Sequence, residues 1–210
     1  MTQKQRTEIV IKTLKKLYPK LEKFLDSSND YEFLFAVILS AQTTDKNVNK
    51  VTPKLFTKFL TLQDYAQATP EQIEECIKQI NYYRAKSKYI QETAQILITK
   101  YNGIIPKTMK EILTLKGVGR KTANVVLGNI YGISEGIAVD THVIRLSQKL
   151  GLTKHSDPIK IESDLMKVIP QKEWFDFTNR VIAYGREYCQ AKSHRHENCP
   201  LNENKLSTDF

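Results

Sequence analysis

The sequence predicts an all-α protein, and three features carry that expectation. Apolar residues recur at helical spacing through nearly every segment. Helix-start signals, Thr or Asp followed by Pro, Glu or Gln, precede several of those segments. No alternating runs joined by a tight hairpin dipeptide stand out, and no internal repeat.

In chain order, residues 3–17 place Ile9, Val10, Leu14 and Leu17 on one stripe, and Pro19 ends the run. Residues 30–40 are apolar on most sides, the pattern of a buried central helix. Thr44 or Asp45 caps the next helix, which runs to about Phe59. Thr69-Pro70-Glu71-Gln72 combines an N-cap, a first-turn proline and a capping-box glutamine. Ile73, Cys76, Ile77 and Ile80 follow at helical spacing, which makes Cys76 a core residue and not a ligand. A longer helix spans residues 84–100 and closes at Asn102-Gly103. Thr108 with Glu111 suggests another capping box before Leu113 and Leu115. A helix from about Lys121 continues to Gly132; Asp140 caps one through Leu150, stopped by Gly151. Asp157-Pro158 starts one more, and residues 171–188 supply the last.

No Pro/Gly/Ser-rich linker marks a boundary. The stretches 19–24 and 132–137 are the best candidates, dividing the chain into a central helical domain, residues 23–134, and a second helical domain from residues 1–22 plus 135–210. The expected architecture is two helical lobes flanking a cleft.

A formal charge of +9 and pI near 9.3 favour a polyanionic partner, with a lysine-rich surface kept for solubility as the equal alternative. Charges at Lys4, Arg6, Glu8 and Lys12 leave no secretory apolar segment, and the run Phe33 to Leu39 is too short to cross a bilayer. Three cysteines make no disulfide framework, which agrees with a reducing compartment, so a cytoplasmic location is expected.

The stretch Leu115-Lys116-Gly117-Val118-Gly119-Arg120-Lys121-Thr122-Ala123 organises the rest. Gly117 and Gly119 can take backbone angles closed to other residues and leave no Cβ against a ligand. The helix that opens after them offers N–H groups and a positive dipole end, which suit a phosphate. Lys121 falls in or near its first turn. An ordinary lysine is about one part in a thousand neutral at pH 7. A helix N-terminus and partial burial both disfavour its charged form. A neutral amine can attack a sugar C1′ and form a Schiff base, and a carboxylate such as Asp140 can take a proton or stabilise charge on the sugar ring. A helix from Lys121 to Tyr131 rises roughly 15 Å, and residues 132–140, extended, can span roughly 30 Å, so the chain permits their meeting. The plainer alternatives are a phosphate-binding lysine and a simple N-cap.

Residues 115–126, followed by Ala138-Val139-Asp140-Thr141-His142, resemble the helix-hairpin-helix and glycine-rich-loop-aspartate signature of endonuclease III-type DNA glycosylases. Leu39-Ser40-Ala41-Gln42-Thr43-Thr44-Asp45, with Val48-Asn49-Lys50, resembles a second hallmark, and the likeness runs from about residue 5 to residue 200. The resemblance implies that Lys121 is the Schiff-base lysine and Asp140 the catalytic aspartate. Monofunctional relatives lack that lysine, so base removal and β-elimination are both expected. It implies that Gly117, Gly119 and Arg120 face the DNA backbone and that Gln42 fills the gap left by the extruded nucleotide. Tyr82 falls where the family places its wedge, at a position often aliphatic in relatives. The alternatives are a buried amide for Gln42 and a surface tyrosine for Tyr82. The implied partner is double-stranded DNA carrying a damaged base or abasic site, with oxidised pyrimidines as substrate class and a monomeric protein. A non-catalytic DNA clamp, or a glycosylase for mismatched or alkylated bases, are the rival readings.

The family commonly ends in four cysteines holding a 4Fe–4S cluster. Here those positions read Cys189, His196, Cys199 and Lys205. A 4Fe–4S cluster normally takes four thiolates, so no metal is the first expectation. A zinc site from Cys189, His194, His196 and Cys199 ranks second, though the two histidines are close together, and an intact cluster ranks third. Arg186, Lys192 and Arg195 are candidates to face a phosphate backbone.

Overall fold

The computed structural model describes residues 1–21, 24–192 and 199–203, and among them every regular element is helical. In order these are α1 (Gln3–Leu17), α2 (Asp30–Ser40), α3 (Asp45–Lys58), α4 (Leu62–Gln67), α5 (Pro70–Ile77), α6 (Tyr83–Tyr101), α7 (Met109–Ile112), α8 (Arg120–Tyr131), α9 (Thr141–Lys149), α10 (Pro158–Val168), α11 (Trp174–Glu187) and α12 (Pro200–Glu203). A 3₁₀ turn, Gln171–Glu173, leads into α11. No helix among the described residues is long and apolar enough to cross a membrane.

The chain falls into two compact units, Lys23–Ile133 and Met1–Glu22 with Ser134–Phe210. The first is built on α2, whose residues Phe33 to Leu39 are all buried. A helix apolar on all sides has to be wrapped on all sides. Helices α3, α6 and α8 do so, bringing Val48, Leu55, Ile90, Leu97, Val126 and Leu127 into the same core.

Caps set most helix starts in this unit. The Thr69 hydroxyl accepts the Gln72 N–H while the Gln72 side chain accepts the Thr69 N–H, as the capping-box pattern requires. Thr44 and Thr108 cap α3 and α7 through the hydroxyl, which accepts the Asn47 and Glu111 N–H. The Glu111 carboxylate accepts the Thr108 hydroxyl proton, where the capping box expected there would bring it to the Thr108 N–H. Helix α4 is an addition to the sequence reading. Its own Thr61–Asp64 capping box was there to be read, but six residues show too little periodicity to announce a helix.

In the second unit α1 packs on α10, α11 and α12, and α9 on α10 and α11. Val10, Leu14, Val143, Leu146, Leu165, Phe177 and Tyr184 make its core. Arg180, buried on α11, bonds Glu173, Asp176 and the Tyr18 carbonyl, so its charge is compensated where water is absent. Helix α12 is the other element the sequence reading did not contain, a single turn held through the Leu201 N–H to the Tyr184 hydroxyl.

Candidate active site

The glycine turn lies between α7 and α8. Gly117 has φ +73, the left-handed region, and a Cβ there would come within 2.8 Å of the Tyr89 ring. Thr93, fully buried on α6, donates its hydroxyl proton to the Lys116 carbonyl at 3.0 Å, so α6 supports the turn from below. Gly119 corrects the expectation of a special backbone angle: at φ −94 and ψ 177 it is ordinary extended chain, serving as the N-cap of α8. Its missing Cβ leaves nothing within 4 Å, which is open approach to the first turn of a helix.

The two glycines therefore serve different ends. Gly117→Ala meets both a positive φ and an aromatic ring, and should cost about 1–3 kcal/mol of stability in a denaturant melt. An unchanged midpoint would mean that the turn relaxes without strain.

Lys121 is the second residue of α8 and is exposed. The partial burial expected of it is not found, because its position on the first turn turns it away from the core formed by Ala123, Val126 and Leu127. Arg120, the first residue of α8, is exposed as well. Asp140, in the other unit, is half-buried and caps α9, its Oδ1 accepting the Val143 N–H at 2.8 Å.

The loops that carry Gln42 and Tyr82 are joined. Both residues are exposed, and both have positive φ without being glycine, 54° and 58°. Gln42 is thus not a buried amide; it stands on the surface beyond the C-terminus of α2. Tyr82, 66% exposed, is the residue before α6 and provides no side-chain cap. The adjacent Asn81 donates from Nδ2 to the Gln42 carbonyl at 2.7 Å, which ties one loop to the other.

A third residue, missed in the sequence, completes this tie. Lys86 on α6 is 4% exposed, and its Nζ donates to the Leu39 carbonyl at 2.7 Å, the Ala41 carbonyl at 2.5 Å and the Thr43 hydroxyl at 3.3 Å. Its signal was its register: Lys86 lies four residues before Ile90, on the stripe that Ala94 and Leu97 continue into the core.

Burial pushes the Lys86 ammonium down to about 8 from the ordinary 10.5. Between those values the unfolded chain holds a proton that the folded protein has released. This group's contribution to stability therefore rises with pH across that window. Wild type should gain about 1–3 kcal/mol relative to Lys86→Met between about pH 7 and about pH 10, read from urea melts. A constant difference would mean the buried amine keeps its ordinary affinity for protons.

At the C-terminal end, Cys189 and Cys199 are each 1% exposed. Cys199 donates to the Tyr188 carbonyl, and burial pushes its thiol up. Arg145 donates to the Cys189 sulfur at 3.6 Å. His194, Arg195, His196 and Lys205 lie outside the described residues. Among the described residues no three His, Cys, Asp or Glu side chains gather as metal ligands. The third cysteine, Cys76, is buried on α5 in the other unit.

Residues 35–171 match the family model of the HhH-GPD superfamily base excision DNA repair protein. Endonuclease III of Synechocystis sp. is 46% identical over 200 residues, 95% of this chain and 91% of that protein. Endonuclease III of Bacillus subtilis is 40% identical over 198 residues, 94% of this chain and 90% of that protein. Among solved structures, a trapped endonuclease III–DNA covalent intermediate (an estranged-adenine complex) superposes with a TM-score of 0.92 at 42% identity, covering 99% of this chain and 97% of that one.

Proposed function

The chain belongs to the HhH-GPD superfamily of base excision DNA repair proteins, and from that premise we propose that it is an endonuclease III-type DNA glycosylase with AP lyase activity. Its partner is duplex DNA carrying a damaged base or an abasic site. The observation that carries the reading is the hairpin itself, a left-handed glycine turn followed by an unobstructed helix N-terminus with a lysine in its first turn.

The reaction assigns each group a step. Gly117, Gly119 and Arg120 receive the phosphate backbone at the start of α8. The target nucleotide leaves the stack, with Gln42 and Tyr82 entering the space it vacates. Bound DNA covers the exposed Lys121 and excludes water from the place where its amine meets the sugar. The amine attacks C1′, the C1′–N bond breaks, and the base departs with a proton. Asp140 carries negative charge to the sugar as positive charge develops there, receives the amine proton and passes it to the departing base. The C1′–O4′ bond then opens, O4′ taking a proton from solvent, and the resulting imine acidifies the C2′ hydrogen. Its loss breaks the C3′–O bond, the phosphate leaving, and cleaves the strand by β-elimination. We take oxidised pyrimidines as the substrate class, a single chain as the working unit, and the cytoplasm as its place.

The family's 4Fe–4S cluster does not fit the donors at hand. The chain has three cysteines and one of them is in the core of the other unit, so four thiolates do not assemble from it. None of the proposed steps passes through a metal, and a Cys-His zinc site is the lesser alternative for the C-terminal segment.

Borohydride reduction of enzyme mixed with abasic DNA tests the proposal. Covalent capture of the wild-type chain is expected; duplex binding without any capture would leave only a DNA clamp. A panel of single-lesion duplexes then separates oxidised pyrimidines from mismatched or alkylated bases. Gly119→Val closes the open approach to α8 and should weaken binding to every duplex by a similar factor, while lesion-selective loss would count against a backbone-facing role.

A further inference from the structure

The turn that carries Gln42 is gripped from α6 and the loop that leads into it. Lys86 holds the carbonyls of Leu39 and Ala41 and the hydroxyl of Thr43, and Asn81 holds the carbonyl of Gln42 between them. An ammonium has three donors and no acceptor, and here it meets three acceptors. Two of these are carbonyls just where α2 ends, the negative end of a helix whose last carbonyls have no partner within it. The residue so enclosed has φ 54, a conformation that a side chain with a Cβ keeps only when its surroundings impose it. Gln42 is exposed although the chain on its N-terminal side is core.

We propose that Lys86 is a positioning residue for base excision: by clamping residues 39–43 to α6 it holds Gln42 outward and fixes it beside Tyr82, ready to occupy the gap in the duplex. The inference rests on the glycosylase reading above. Lys86 touches no substrate, being buried behind the turn. Its effect reaches the reaction through Gln42 alone, and that makes the effect separable from the chemistry of Lys121. An opened duplex has a gap to be filled; a single strand has none.

The experiment compares two reactions of the full chain. One is single-turnover base removal from a duplex with one oxidised pyrimidine, at saturating enzyme. The other is borohydride capture on a single-stranded oligonucleotide with a preformed abasic site. Lys86→Met should slow the first at least 10-fold and leave the second at the wild-type level, if the gap-filling route is as described. Gln42→Ala should slow the first as well, and the double variant should be no slower there than the slower single one, because both changes remove one function. A wild-type duplex rate in Lys86→Met overturns the proposal. So does a double variant whose loss is the product of the two single losses, and so does a folded Lys86→Met that loses single-strand capture in proportion. If Lys86→Met does not fold, Asn81→Ala, an exposed site on the same clamp, carries the test: a several-fold loss on duplex only, not additive with Gln42→Ala, supports it, and a full duplex rate overturns it. A wild-type chain that is captured on neither substrate sinks the enzymatic reading, and this inference with it.

Discussion

Lys121→Gln abolishes covalent capture by borohydride and lowers strand cleavage at abasic sites by roughly 10³-fold or more, because an amide nitrogen forms no imine. The variant keeps the fold, since Lys121 is exposed and on a helix where glutamine is as well tolerated as lysine. It also separates the two roles a lysine can have at that place. A lysine that only binds phosphate contributes one counterion's worth of salt dependence, so its loss flattens the plot of log K against log salt by about 1 and leaves turnover at saturation intact. Loss of turnover at saturating enzyme, with duplex binding little changed, is the expected pattern. Normal cleavage by the variant would reduce Lys121 to a phosphate contact.

Asp140→Asn is the second large effect. The structure gives Asp140 a cap to hold, and asparagine caps a helix about as well as aspartate does. The substitution therefore removes a charge while keeping the bond to the Val143 N–H. Base removal should fall by roughly 10²–10³-fold, the usual loss when one electrostatic partner of a transition state is removed. Thermal stability should stay close to wild type. Asp140→Ala is the useful contrast, losing the same activity and about 1 kcal/mol of stability in addition. Full activity in Asp140→Asn would leave the residue a cap and nothing else.

Much of this architecture was legible because helix starts have side-chain signatures. Thr44, Thr69, Thr108, Asp140 and Asp157 all cap the helices they announced. The uninterrupted apolar run of α2 announced a wrapped helix, which it is. The one-turn α12 and the six-residue α4 escaped because short segments gain their helicity from packing and not from pattern.

The site was legible to a different depth. Periodicity put Lys121 near a helix start and its residue type allowed the chemistry; the assignment of that chemistry to it came from resemblance. Gly117 needed its freedom, whereas Gly119 needed only its lack of a side chain, a difference that a spacing of glycines cannot express. Lys86 showed its buried register but not its partners, and Asn81 showed neither, because their roles are long-range: the bonds they make join residues 39 to 47 positions apart. A left-handed φ at Gln42 and Tyr82 leaves no trace in residue type, since neither is among the residues that favour it.

The unit made from residues near both ends of the sequence has a consequence for the order of events on the ribosome. The bond from Arg180 to the Tyr18 carbonyl bridges 162 residues, and α1 finds α11 only after the intervening chain has been made. At typical rates of synthesis, the apolar stripe of α1, with Val10 and Leu14, waits about 10–30 s without its native cover. The Lys23–Ile133 unit is under no such delay, since all of its core precedes α9. Birth of the molecule is thus staggered: its lysine-bearing half can close on emergence, while its aspartate-bearing half must keep its first helix in reserve until nearly the last residues have followed.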